Sequence, residues 1–181
     1  MSMLESCFEP YLLRSEVLRW TGRPISGIKL GASDIFLIPF SILWGGFALF
    51  WESAVVAVRV WPMALFGIPF VVIGLYITIG RFFVDAWMRR RIVYGITDRR
   101  ALIFKSFPGG GLTAVELKNV SNISMSQRKN GEGSIDFGRL NFLWFGWAPW
   151  FPEIGPPRFR HIANVASVYR TIEDVRAGRP D

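Results

Sequence analysis

Very little in this chain of 181 residues could carry out covalent or metal chemistry, because it holds one cysteine and one histidine. With Cys7 alone, no intrachain disulfide can form and no zinc site can be built on thiolates. His161 has no second histidine or cysteine with which to share a metal. It alternates with Phe159 in a strand-like stretch, which suits a packed or rim histidine. Ser-His-Asp catalysis would need His161 beside an activated serine and a carboxylate, and no nucleophile elbow supplies that serine. Gly109-Gly110-Gly111 lacks the Lys-Ser or Lys-Thr ending of a phosphate-binding loop. Neither an enzyme nor a cofactor is expected. Cys7 is not preceded by the apolar stretch of a lipoprotein signal, and Met1 to Leu13 is too acidic and too short of apolar length for a secretory leader.

Charge is the second scarcity, and it is local. Ile35 to Trp51 contains no charged residue and is bounded by Asp34 and Glu52. Trp61 to Gly80 is a second uncharged run. At 1.5 Å per residue these reach about 26 and 30 Å, close to the roughly 30 Å hydrocarbon core of a bilayer. Pro62 falls in the first turn of the second run, where its missing N–H is harmless. Pro39 and Pro69 lie inside the runs, where membrane helices tolerate a bend. Trp51, Trp61 and Trp87 sit near the expected interfaces. Gly67 and Gly74 share one face of the second helix, as small residues do at close helix contacts. The two runs read as a transmembrane helical hairpin over residues 34–80, with spans at about 35–51 and 61–80. Asp34 and Asp85 read as boundary residues, since no charge inside a span marks an ion path.

Basic residues flank the hairpin unevenly. Arg14, Arg19, Arg23 and Lys29 precede it, Arg81, Arg89, Arg90 and Arg91 follow it, and the link from Glu52 to Val60 carries Arg59 alone. Lys and Arg near span ends mark the cytoplasmic side, so both termini are expected there. The five basic and five acidic residues before position 81 balance, and the sixteen against nine after it carry the whole net charge of +7. A basic face near a bilayer draws anionic lipid, which makes nucleic acid the poorer partner.

Beyond Ile92 the apolar pattern alternates, as in strands. Strands are expected at Ile92–Thr97, Ala101–Lys105, Thr113–Lys118, Ile123–Arg128, Gly133–Phe137 and Arg158–His161. Asn130-Gly131-Glu132-Gly133 is a hairpin signal. A helical period returns with Ile162, Val165, Tyr169, Ile172 and Arg176, and Asn164 is placed to cap it.

Arg89 to Ile103, with Tyr94 running into the turn Thr97-Asp98-Arg99-Arg100 and a second apolar strand, resembles the opening of bacterial membrane proteins with a pleckstrin-homology-like domain. Val115-Glu116-Leu117, Ile123, Gly133 to Phe137, and Phe159 with Ile162 agree in order, and Glu16 to Pro24 is similar to that family's lead-in before its hairpin. The resemblance spans about Glu16 to Ile172. It implies a membrane α+β protein of the bacterial inner membrane: a lead-in over 1–33, the two-helix transmembrane hairpin over 34–80, and a basic juxtamembrane segment over 81–91. A small antiparallel β-barrel closed by a C-terminal capping helix would then occupy 92–176, ahead of a tail over 177–181.

The absence of catalytic groups beside a tethered β-domain and an aromatic loop, together with the resemblance, points to a function without catalysis: a membrane-anchored interaction module, acting as scaffold, assembly factor or accessory subunit of a membrane complex. The expected partners are membrane lipids and another integral membrane protein or a second copy. Asn141 to Pro157 departs from the family as an aromatic and proline-rich insertion. Trp144, Phe145, Trp147, Trp150 and Phe151 either pack on the barrel or form an interface to bilayer or partner. The alternative function is an anionic-lipid sensor. Pleckstrin-homology domains hold headgroups with basic residues around the first strand turn, and by that resemblance Arg89, Arg90, Arg91, Arg99, Arg100 and Lys105 are candidate contacts. Against it, Arg89 to Arg91 could serve only topology and one turn arginine could brace the domain.

Overall fold

The computed structural model describes residues 4–27, 34–138 and 156–179. These fall into two compact units, one from the described residues up to Ser26 and from Trp87 onward, the other from Gly27–Ala86.

The second unit is helical. Helix α1 spans Asp34–Ala57, and α2 spans Trp61–Leu75 with Pro62 in its first turn. A π-helical turn, Tyr76–Gly80, leads into α3, Arg81–Arg89. The sequence ends the first span at Trp51, but Glu52 is a good helix former and no Gly or Pro follows it before Pro62, so the helix continues. The expected link of Glu52 to Val60 shrinks to residues 58–60, and Glu52 lies within α1. The helical path likewise continues past Gly80 through most of the expected basic juxtamembrane segment. At 24 and 29 residues, both helical stretches are long and apolar enough to cross a membrane.

Small residues let the two helices approach. Ser41, Ala48 and Val55 are buried seven apart on α1, facing Ala64, Gly67 and Gly74 on α2. A Cβ on Gly74 would stand 3.1 Å from the Cα of Gly45. The Thr78 hydroxyl reaches both the Gly74 carbonyl (2.7 Å) and the Ser41 carbonyl (3.1 Å), within the widened turn. Arg81 meets Asp34 at 2.8 Å, with side chains only 7% and 11% exposed. Asp34 and Arg81, which the sequence assigns to a span boundary and to topology, therefore pair with each other. With the seam filled by small groups, the large side chains point outward: Phe36 is 80% exposed, Leu43 74% and Phe50 70%.

The first unit holds two antiparallel sheets. Strands β1 (Leu18–Gly22), β2 (Ile92–Thr97), β3 (Arg100–Lys105) and β4 (Leu112–Glu116) pair in that order. Strands β5 (Ile123–Gln127), β6 (Gly133–Phe137) and β7 (Arg158–Ile162) form the other sheet. All six expected strands are present within one or two residues at each end, and β1 is an addition. The expected closed barrel is not formed by the described residues. Its closure would need β4 on β5 and β7 on β1, but residues 117–122 turn between the first two. On the other side a backbone bond from Ile25 N–H to the His161 carbonyl (2.7 Å) takes the place of a ladder.

Helix α4, Val165–Arg176, packs against β1, β2, β5 and β6, and its buried Val165, Val168 and Ile172 fill the space between the sheets. Asn164 precedes it in a left-handed conformation (φ 49°) and makes no side-chain capping bond, so the expected cap is absent. The shared core includes Ile96, Ile103, Leu117, Ile135 and Phe159. Tyr94 stacks on Phe159 at 4.6 Å between ring centres, and its hydroxyl accepts the Arg160 N–H at 3.0 Å. Trp20 of β1 reaches the same Phe159. On the opposite face of the first sheet Phe8 is fully buried with Val93 and Leu102.

Replacing Gly74 by Val should push the helices apart and destabilise the hairpin by roughly 1–3 kcal/mol, the usual cost of overpacking. Thermal unfolding in detergent reads this, and Leu75→Ala on the exposed face is the matched control that should leave the midpoint unchanged.

Candidate functional site

The turn between β2 and β3 is the most polar construction in the first unit. Thr97 ends β2 with its hydroxyl accepting the N–H groups of Arg99 (3.3 Å) and Arg100 (3.0 Å), a side-chain-closed turn. The same hydroxyl donates to Glu16 Oε1 at 2.7 Å. Arg100 donates from Nε to Glu16 Oε1 and from Nη2 to Oε2, both at 2.8 Å. Its Nη2 also donates to the Tyr11 carbonyl at 2.9 Å, while the Leu13 N–H donates to Glu16 Oε2 at 2.8 Å. Asp98 completes the lock by accepting the Val17 N–H and donating its own N–H to the Val17 carbonyl.

The Glu16 side chain is fully enclosed, and Arg100 is 17% exposed. Burial alone would push the Glu16 carboxyl up. The Arg100, Leu13 and Thr97 hydrogen bonds and the Arg100 charge outweigh it and hold the pKa down at about 2. Arg100 is raised in turn, first by its hydrogen bond to Glu16. Chemically the cluster is a clamp: it fixes the segment before β1 onto the hairpin, 84 residues away in sequence.

The six basic candidates are not brought together. Arg100 is spent on Glu16 and Tyr11. Arg99 is exposed, with Asp98 at 3.9 Å. Arg89 is buried at 1% exposure. Arg90 and Arg91 are exposed, and Arg91 lies 4.4 Å over the Trp87 ring. Lys105 is half-buried opposite Ile92, at the hairpin end away from the Arg99 turn. Five residues of strand separate the two ends by about 17 Å. Two small groups result, Arg99 at the turn and Arg90, Arg91 and Lys105 at the open end. The aromatic candidates Trp144, Phe145, Trp147, Trp150 and Phe151 lie outside the described residues.

His161 is half-buried in a bulged stretch of β7 with φ 49°. It lines a polar cleft of about 180 Å³ with Ser126, Arg128, Glu132 and Ser134, and its N–H donates to Ser134 Oγ at 3.2 Å. Asp136, across from Arg158, is raised by burial against the opposing pull of Arg158 and Arg160. Among the described residues no group of three or more His, Cys, Asp or Glu could hold a metal.

Glu16 escapes a reading of the sequence because nothing local marks it. A lone acid before an apolar strand is common, and its partner is far along the chain. No protein-family model, curated protein or solved structure matches this chain.

The clamp sets a pH dependence. Because the folded Glu16 pKa of about 2 lies below its ordinary value of 4.5, its contribution is fully present above pH 4.5 and is lost as pH falls towards 2. Glu16→Gln should cost about 3 kcal/mol at pH 7 and flatten the acid limb of the stability curve. Chemical denaturation across pH 2–7 measures both, and an acid limb unchanged in the variant would refute the assignment.

Proposed function

We propose that this protein is a bacterial inner-membrane protein whose helical hairpin spans the bilayer and holds a pleckstrin-homology-like domain on the cytoplasmic side as a non-enzymatic interaction module. The observation that carries this reading is the pattern of exposure on the hairpin. Phe36, Leu43, Phe50, Leu65 and Phe66 are each 69% or more exposed, and together they would make a long apolar face in water. In hydrocarbon the same face costs nothing, and the buried Asp34–Arg81 pair removes two charges from it.

For the domain, the order of two antiparallel sheets followed by a C-terminal helix supports the resemblance. The Thr97-to-Arg100 turn acts as a structural clamp in it, which favours a scaffold, assembly factor or accessory subunit over a catalyst. A second reading, contact with anionic headgroups, is favoured at the other hairpin end. There Arg91 stacked on Trp87 sits with Arg90 and near Lys105. Guanidinium groups held on an aromatic ring suit the headgroup layer.

Purification of the tagged full-length chain from its own membrane in mild detergent tests the leading reading. We expect a stoichiometric membrane-protein partner, or a second copy, that survives high salt. Recovery as a lone monomer carrying anionic lipid, lost on Arg90→Glu/Arg91→Glu, would shift the function to the lipid.

A further inference from the structure

Glu52 is an acid inside the hairpin to which nothing described so far gives a role. Its Oε2 occupies the place that a Cβ on Gly67 would fill, so the carboxylate end rests directly against that glycine of α2. That oxygen is buried and has no hydrogen-bond partner among the described residues. The residue as a whole is only part-buried. A carboxylate held between apolar helices is costly unless a cation meets it.

Two basic side chains belong to the described part of the hairpin, Arg59 and Arg81. Arg81 is committed to Asp34. Arg59 sits in the short link between α1 and α2, its N–H bonded to the Val56 carbonyl, and its side chain is exposed. Among the described residues, Glu52 and Arg59 thus stand towards the same end of the hairpin with no ion pair between or upon them. A groove of about 320 Å³ runs along the hairpin, walled by Trp44, Phe47 and Trp51 on α1 and Phe66 and Phe70 on α2, and its lining includes Gly67, the residue against which Glu52 Oε2 rests.

We propose that this groove is where a second copy of the hairpin docks, with Arg59 of each copy placed on Glu52 of the other. This rests on the membrane-spanning reading. Two copies inserted with the same topology carry Glu52 and Arg59 at nearly matching depth, since the five residues from Glu52 to the end of α1 rise about 8 Å. A long arginine side chain covers that distance. A two-fold axis along the membrane normal makes the contact twice. The aromatic walls suit a guanidinium as well as apolar side chains. The glycine seam is unavailable for this purpose, because Gly45 and Gly74 meet each other between α1 and α2. A lipid chain could fill the groove but would leave the carboxylate unmatched.

The test is a charge swap on the full-length protein in mild detergent and in lipid nanodiscs, with mass read by light scattering. The wild-type chain should be a dimer. Arg59→Glu, a change at an exposed link that leaves the helix seam intact, should weaken dimerisation at least tenfold, and Glu52→Gln should do likewise. The double variant Glu52→Arg/Arg59→Glu should regain the dimer. A wild-type monomer at all concentrations, a one-to-one complex with another protein, an Arg59→Glu chain that dimerises like wild type, or a double variant that fails to recover would each overturn the proposal. A chain that washes off membranes in alkaline carbonate would instead sink the membrane reading beneath it.

Discussion

The close approach of α1 and α2 is the constraint from which the helical unit follows. Two helices can pack backbone to backbone only where side chains nearly vanish, and here Gly45 meets Gly74 while Ser41, Ala48 and Ala64 fill the remainder of the seam. Once the seam is committed to small residues, most large apolar side chains point away from it. The packed seam is therefore thin, and the large apolar side chains lie at the surface of the helical unit. On the proposed membrane-spanning reading, packing and interhelical polar contacts such as Thr78 to Ser41 replace the hydrophobic effect as the cohesive force.

The β-structured unit is held on a different principle. Its core is ordinary, with Ile96, Ile135, Phe159 and Ile172 excluded from solvent between two sheets and a helix. Its unusual element is the N-terminal segment, which reaches the sheet as β1 and is fastened by one enclosed carboxylate. A buried ion pair is weak support when both partners could have been apolar, but here Glu16 accepts four hydrogen bonds from donors on both sides of the junction. Removing one partner strands the other, so the pair acts as a lock on register as much as a source of stability. Arg100 of the turn that the pleckstrin-homology resemblance suggests for ligands is thereby engaged by the chain's own N-terminal segment.

Much of this was legible in the sequence where a local period carried the signal. Alternation located six strands, and the charge-free runs located both helices. What failed to show has a common cause in long-range pairing. Leu18–Gly22 is too short and polar to declare itself a strand without β2 beside it. Arg100 reads as a free basic residue because Glu16 is distant in sequence, and Arg81 reads as a topology signal because Asp34 lies on another helix. Hydropathy placed the end of the first span at the first charge, whereas helix geometry ignores a single glutamate. Whether six or seven strands close into a barrel depends on edge pairing, which alternation cannot encode. Asn164 had the right chemistry for a cap, but its left-handed backbone turns the side chain to no such use.

The central claim is that the hairpin crosses a bilayer and leaves the β-structured unit on the side opposite the Arg59 link. It is tested most directly by cysteine accessibility in a Cys7→Ser background, with a single cysteine introduced as Arg59→Cys in the link or Lys118→Cys at an exposed turn of the β unit. A membrane-impermeant maleimide applied to sealed, right-side-out membranes should label the link position at once and the turn position only after lysis. Equal labelling of both positions before lysis would contradict the account.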